Sequence, residues 1–459
     1  MIAMRERQSG MPSMRQEADA LGPISVPFEA LYGAQTARAI ANFPISGTTI
    51  SQFPSILVAL AQIKTAAARA NAKLAALPKE KAAIIERVCG EIIAGQHRQH
   101  FPVDVFQGGA GTSTNMNMNE VIANRGLELM GHPCGNYRHL HPNDDVNRSQ
   151  STNDVYPTAI RIALMSDLPL LMASLLDLAG AFETKGKAFA DIAKLGRTEL
   201  QDAVPMRLGD EMRAYGVTLR EDVDRLQATV GMLAEINIGG TAIGTGVAAP
   251  ARYRDAVFAE LFALTGLPLK PAADLMEASW DAGVFVHLSG VLKRVATKLS
   301  KIANDLRLLS SGPRGGFGEL RLPAVQPGSS IMPGKVNPVI CEMVNQVAFH
   351  VIGADVTISF AAEAGQLQLN AFEPIMAFEL LQSIALLRNA AEVFRARCID
   401  GLEADADRCR RNLEASTANF AELVPVIGYE RASTLAKDML ASGKTWAEVF
   451  PEPDAPDRS

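Results

Sequence analysis

Between residues 284 and 310 the chain places apolar side chains at alternating steps of four and three. The series is Leu288, Leu292, Val295, Leu299, Ile302, Leu306 and Leu309. This is an a/d seam sustained over three heptads, the pattern of a helix packed lengthwise against other helices. At 1.5 Å per residue that helix is about 40 Å long. The seam reads as core and carries no chemistry of its own.

Three further segments, 155–190, 208–236 and 373–398, read as helices of similar character. Breakers bound them, among them Gly196 and the run from Gly365 to Pro374. Aromatic residues make up only 6% of the chain, and Ala and Leu dominate, which favours long helices. The expected fold is mostly α: a long central multi-helix bundle at 151–405, flanked by a smaller N-terminal domain at 1–150 and a small helical C-terminal domain at 406–459.

Several partner classes fall away on composition. The formal net charge is −6, with no basic stripe for a phosphate backbone, so nucleic acid is not expected. No window holds 18 consecutive apolar residues, so no membrane span is expected. The five cysteines contain no CxxC pair and are odd in number, which argues against a disulfide framework or a zinc site and favours the cytoplasm. The opening MIAMRERQSGMPS has no apolar core of a signal peptide. Met4, Met11 and Met14 suggest a ragged start, and PEPDAPDRS at the end reads as a disordered tail.

Long helices concentrate chemistry in their connections, and four connections are rich in small hydroxyls, amides and glycines. In QGGAGTSTNMNMNE (107–120) the glycines allow close approach of backbone N–H groups, and Thr112, Ser113 and Asn115 are neutral donors. A turn followed by a helix cap explains it equally well. SQSTND (149–154) precedes a helix starting near Val155. Ser151, Thr152 and Asn153 then stand where free N–H groups and the helix dipole favour a carboxylate. Plain capping by Asn153 or Asp154 is the competing reading. GRTELQDAVPMRLGDE (196–211) sets Thr198 and Glu199 in a non-helical connector, for which a buried turn would also serve. QPGSSIMPGKVNP (326–338) is the most specific: Ser329 and Ser330 follow a glycine, and Pro333-Gly334 precede Lys335. A mobile loop carrying a nucleophile or base beside a cation fits it best.

These stretches, in this order and spacing, resemble the aspartase/fumarase superfamily, whose signature loop GSSIMPGKVNP (328–338) matches. Further matches are LYGAQT (31–36), IGTG (243–246), SGPR (311–314) and AGQLQLNAFEP (364–374), so the likeness spans about residues 17 to 450. NFPISG (42–47), LQDAVPM (200–206) and Glu373, where fumarases usually carry lysine, place it nearer the aspartase, or ammonia-lyase, branch.

The resemblance implies a cofactor-free and metal-free lyase that removes a β-proton and expels an amine from a small carboxylate, with L-aspartate giving fumarate and ammonia as the leading case. It implies Ser329 as the base, active as an alkoxide. Thr112, Ser151, Thr152 and Ser330 would be donors to the developing enediolate, a task worth roughly 3 kcal/mol per donor. Lys335, Asn337 and Thr198 would hold the second carboxylate, and Asn153 and Glu199 would face the leaving amine. It also implies a homotetramer with active sites drawn from three chains.

Two positions depart from the family: Glu199 replaces the usual Gln or His, and Asp145 stands where His is common. A carboxylate about 4 Å from a substrate carboxylate costs on the order of 4 kcal/mol at an effective dielectric of 20. Glu199 is therefore protonated, in a shared pair with Glu342, or it faces a cation of the substrate. Drift without consequence is the bland account. The C-terminal stretch TANFAELVPVIG (417–428) differs as well. Competing readings are an ergothionase-like lyase of trimethylammonium betaines, a class II fumarase, and a catalytically silent structural relative of the lens-crystallin kind.

Overall fold

The computed structural model describes residues 13–449. The N-terminal methionines Met4 and Met11 and the PEPDAPDRS tail lie outside them. The described chain folds into two compact units. The first comprises the residues up to Pro169, Leu226–Gly290 and Gly353–Ile384; the second comprises Leu170–Arg225, Val291–Ile352 and the residues from Ala385 onward.

The first unit opens with an antiparallel hairpin, β1 (Met14–Asp19) and β2 (Gly22–Pro27), then α1 (Ala34–Asn42), α2 (Pro54–Lys73), α3 (Lys79–Ile93) and α4 (Thr112–Leu129). Glu120 of α4 organises the entry to α1. Its carboxylate accepts from the N–H groups of Gly33, Gln35 and Thr36 and from the Thr36 hydroxyl. These are the orphan donors every helix start must satisfy.

Helix α5 (Thr152–Ala188) follows a hairpin-free connection and keeps Pro157 and Pro169 inside it. Pro157 cannot donate to the Asn153 carbonyl, which would cost the helix a bond. The Asn237 side chain supplies the donor instead, at 3.1 Å. An antiparallel hairpin, β3 (Ala193–Thr198) and β4 (Gln201–Arg207), leads to α6 (Leu208–Leu233). Gly196, read from the sequence as a breaker, is a strand residue of β3. Its Cα lies so near the Val204 carbonyl that a Cβ would sit 2.8 Å from it.

Parallel β5 (Glu235–Ile236) and β6 (Lys270–Pro271) flank α7 (Tyr253–Thr265). Then comes α8 (Gly283–Leu309), the helix of the a/d seam, and all seven seam residues are buried. Strand β7 (Leu320–Arg321) pairs with β8 (Glu403–Ala404). Between them run α9 (Val339–Glu363) and α10 (Glu373–Phe394), and α11 (Ala406–Glu414), α12 (Phe420–Ile427), α13 (Tyr429–Ser442) and α14 (Trp446–Val449) close the described chain. The long helices anticipated at 155–190, 208–236, 284–310 and 373–398 are all present, within a few residues at each end.

Polar bonds fix helix register inside each unit. In the second, Asn345 of α9 donates to the Ser300 carbonyl and hydroxyl of α8 and accepts from Arg307. Tyr215 of α6 donates to Asp305 of α8. In the first, Ser289 donates to Asp355 at 2.8 Å. Among the described residues two helices, α5 and α9, are long and apolar enough to cross a membrane by length and composition. The apolar window of α5 is 61% buried in the protein and that of α9 only 39%. On α9, Phe349, Val356 and Phe360 stand exposed at steps of seven and four.

Candidate active site

In the first unit the site residues sit at two helix starts. Thr112 is the first residue of α4, exposed, with its hydroxyl donating to the Gly109 carbonyl. Gly109, Ala110 and Gly111 ahead of it all have positive φ. Gly111 has a second reason to be glycine: a Cβ there would lie 2.4 Å from the Tyr156 ring of α5. The glycines thus let the α4 start approach the α5 start.

Ser151 caps α5. Its hydroxyl accepts from the Asn153 N–H, and its own N–H donates to Asp154 at 3.0 Å. This reciprocal arrangement is a capping box, so the cap is Ser151 rather than Asn153 or Asp154. As an acceptor in the cap, the hydroxyl keeps its proton for a ligand. Thr152 is buried and accepts from Asn115 at 3.0 Å; Asn153 donates to the Ala242 carbonyl.

Beneath these hydroxyls lies a buried network. Lys64 of α2, fully buried, donates to Asn147 at 2.9 Å and to Gln150 at 3.0 Å, and Asn115 also donates to Asn147. Burial pulls the Lys64 ammonium down to about 7, although Asp154 opposes the shift. Burial raises Asp154 to about 6 against the pull of the Thr241, Ser151 and Gly239 N–H groups and of Lys64. Sequence reasoning missed Lys64 and Asn147. The available signal was a single lysine inside the apolar, alanine-rich run ALAQIKTAAARA.

Asp145, one of the two departures, pairs with Lys81 at 2.6 Å and accepts from the His141 N–H at 2.8 Å. It does structural work in the turn before α5. Glu373, at the start of α10, is buried and pushed up to about 8 by burial, with Arg161 opposing.

In the second unit, Thr198 and Glu199 stand at the tip of the β3–β4 hairpin. Glu199 and Leu200 form its two-residue turn, both at positive φ, 55° and 62°. That backbone suits a hairpin but costs non-glycine residues roughly 1–2 kcal/mol each. The turn is exposed, so the buried-turn reading does not hold. The hairpin base is held by buried charge: Glu319 accepts from Arg197 and Asn412 at 2.8 and 2.9 Å and faces Lys194 at 3.3 Å. Burial raises Glu319, yet Arg197, Lys194 and Asn412 together hold its carboxyl below the usual range.

The 326–338 loop closes on itself. Asn337 donates to the Gly328 carbonyl at 2.9 Å, and a Cβ on Gly328 would fall 2.0 Å from the Lys335 carbonyl. Gly334 turns the chain at φ 81°. Within this frame the Ser329 Oγ accepts from two backbone N–H groups, those of Ile331 and Met332, each at 3.2 Å. Ser330 and Lys335 are exposed beside it. Lys335 and Asn337 line a cavity of about 1260 Å³ in this unit, together with Glu342 of α9. Among the described residues no three His, Cys, Asp or Glu side chains group as metal ligands.

A family model described as Lyase matches residues 22–353. The chain belongs to this lyase family, the aspartase/fumarase superfamily. The aspartate ammonia-lyase of Pseudomonas aeruginosa is 54% identical over 445 residues, 97% of this chain and 94% of the relative. That of Escherichia coli K12 is 49% identical over 441 residues, 96% and 92% of the two chains. Among solved structures, a Brucella melitensis fumarate lyase:delta crystallin bound to cobalt superposes with a TM-score of 0.93 at 55% identity, covering 95% of each chain. The class II fumarase of Schistosoma mansoni reaches a TM-score of 0.91 at 35% identity, again over 95% of each. The fold is shared with these solved lyases, and the two aspartate ammonia-lyases, at 54% and 49%, are more similar in sequence to this chain than the class II fumarase at 35%.

Proposed function

We propose that this lyase converts L-aspartate to fumarate and ammonia, with Ser329 as the base. The observation that carries the reading is the pair of backbone N–H groups at the Ser329 Oγ. Hydrogen bonds to an anion favour its charged form, and two converging donors are what a serine alkoxide needs.

In this reading the Ser329 alkoxide takes the proton from the carbon next to the departing amine. The electron pair moves into the adjacent carboxylate, giving an enediolate with two negative charges. It then returns to form the double bond as the C–N bond breaks. Thr112, Ser151, Thr152 and Ser330 donate to the enediolate. Lys335, Asn337 and Thr198 hold the other carboxylate, Lys335 through a charge-assisted contact. Asn153 and Glu199 face the ammonium group. The chain's own residues supply every proton transfer, so the reading calls for no cofactor.

The apolar stripe of α9 supports a homotetramer in which this helix meets other copies, with composite active sites. Phe349, Val356 and Phe360 exposed on one helix form a seam of the spacing that a bundle buries.

The test is to incubate purified protein with L-aspartate, and separately with trimethylammonium betaines, while following the ultraviolet absorbance of the new double bond. Turnover of L-aspartate supports the reading. Turnover of a betaine with none of L-aspartate would replace it with the quaternary-amine alternative.

A further inference from the structure

The cavity beside Lys335 is strongly cationic although the chain as a whole is acidic. Its lining contains Arg307, Arg314, Arg321, Lys335, Arg408 and Arg411 against only Glu342 and Asp405. Six positive and two negative groups leave a formal excess of four, in a chain whose net charge is −6.

These cations are not equivalent. Arg321 is bound to Asp405 at 2.6 Å, and Asp405 also caps α11 by accepting from the Arg408 N–H. Arg307 is spent on Asn345. Arg408 is a clamp: its guanidinium donates to the carbonyls of Phe317, Gly316 and Arg314, fixing the SGPR turn against α11. Arg411 lies one helical turn beyond Arg408 on the same face of α11. Arg411 and Arg314 are exposed, and Arg411 stands near enough to Asp405 for its charge to help hold that carboxyl below the usual range. The fold therefore uses one arginine to present another two.

We propose that Arg314 and Arg411 form an electrostatic capture wall that draws dianionic carboxylates into the cavity and favours them over monoanions. This rests on the reading of the cavity as the substrate site. Its consequence is directional. Fumarate carries two negative charges and L-aspartate a net one, so the wall strengthens binding of the product, and entry of fumarate in the amination direction, more than it strengthens binding of L-aspartate. Both residues act at a distance by charge, and neither takes part in the proton transfer.

A unit charge removed about 10 Å from the ligand in water lowers the affinity of a dianion about fourfold and of a monoanion about twofold. Salt abolishes such long-range terms once the screening length falls to a few ångströms. The experiment is calorimetric binding of succinate and of its monoamide, succinamate, to wild type, Arg411→Gln, Arg411→Lys and the Arg314→Gln/Arg411→Gln double variant, at low and high salt. Neither probe reacts, so the outcome does not depend on whether L-aspartate is the true substrate. If L-aspartate turnover fails while succinate binding follows the charge pattern, the proposed reaction falls and the capture wall stands.

The expected result is about fourfold weaker succinate binding and about twofold weaker succinamate binding in Arg411→Gln. The double variant should compound both losses, Arg411→Lys should restore them, and high salt should erase them. Equal losses for both probes, losses that persist at high salt, no loss at all, or no succinate binding by the wild type would each overturn the proposal. The melting temperature of every variant is read alongside, since a purely structural arginine would move that temperature and leave the charge pattern unchanged.

Discussion

The start of α5 and the loop at 326–338 both present serine hydroxyls, but they are built in opposite ways. At α5 the hydroxyls of Ser151 and Thr152 stand over a scaffold of buried Asn115, Lys64 and Asp154 and half-buried Asn147 and Gln150, most of it tied by side-chain hydrogen bonds. In the loop, residues 330–336 are exposed and the frame consists of a few short-range bonds. Preorganised donors lower a barrier because they need no rearrangement when charge develops. A base that must meet and release substrate gains from a segment that closes. The difference teaches that stability and chemistry are carried by separate parts of the chain, and substitutions should divide accordingly.

The largest effect is expected in the loop. Ser329→Ala should lower kcat by at least about 10³-fold while the melting temperature stays within a degree or so of wild type. Retention of a tenth of the activity would remove Ser329 as the base. The scaffold should show the reverse balance. Asp154→Ala deletes the acceptor for three backbone N–H groups, those of Ser151, Gly239 and Thr241, and should destabilise the protein by about 3 kcal/mol. Denaturant unfolding measures this, and a loss below about 0.5 kcal/mol would make the network incidental.

A smaller effect separates the regions by pH. Lys64 is held at about 7 in the folded chain, below its ordinary value of 10.5. Between those values the unfolded chain binds the extra proton, so stability falls as pH drops from 10.5 towards 7 and levels off below. Wild type should lose roughly 2 kcal/mol between about pH 9 and pH 7 relative to Lys64→Met. Parallel stability curves for the two proteins would contradict the assignment. The smallest effect is expected at the exposed hairpin tip: Glu199→Gln should leave kcat/KM on L-aspartate within about threefold of wild type. A hundredfold loss would show that the Glu199 carboxylate charge is required for L-aspartate turnover.

Much of this was legible in the sequence because local signals were strong. The seam of α8 needs only its own spacing, and the Gly-Ser-Ser and Pro-Gly-Lys elements mark the loop without reference to distant residues. The scaffold was illegible for the opposite reason. Lys64 finds Asn147 and Gln150 more than 80 residues away, and no local pattern marks such a pairing. The β3–β4 hairpin was missed because its turn is Glu199-Leu200 rather than Asn-Gly, so a strained backbone sits where sequence preference gives no sign. Asp145, a departure from the family pattern, finds its partner in Lys81, more than 60 residues earlier, which no local pattern marks. Among the described residues Glu199 has no ion-pair partner.

The central claim is that Ser329 takes the proton while other groups, at the α5 start and in the loop, hold the substrate, and it is tested most directly by the affinity of the Ser329→Ala variant for L-aspartate. Calorimetry should give a Kd within about threefold of that for non-reacting succinate in wild type, with no fumarate formed over the titration. Loss of L-aspartate binding in this variant would contradict the account, because Ser329 would then be part of what holds the substrate rather than the group that takes its proton.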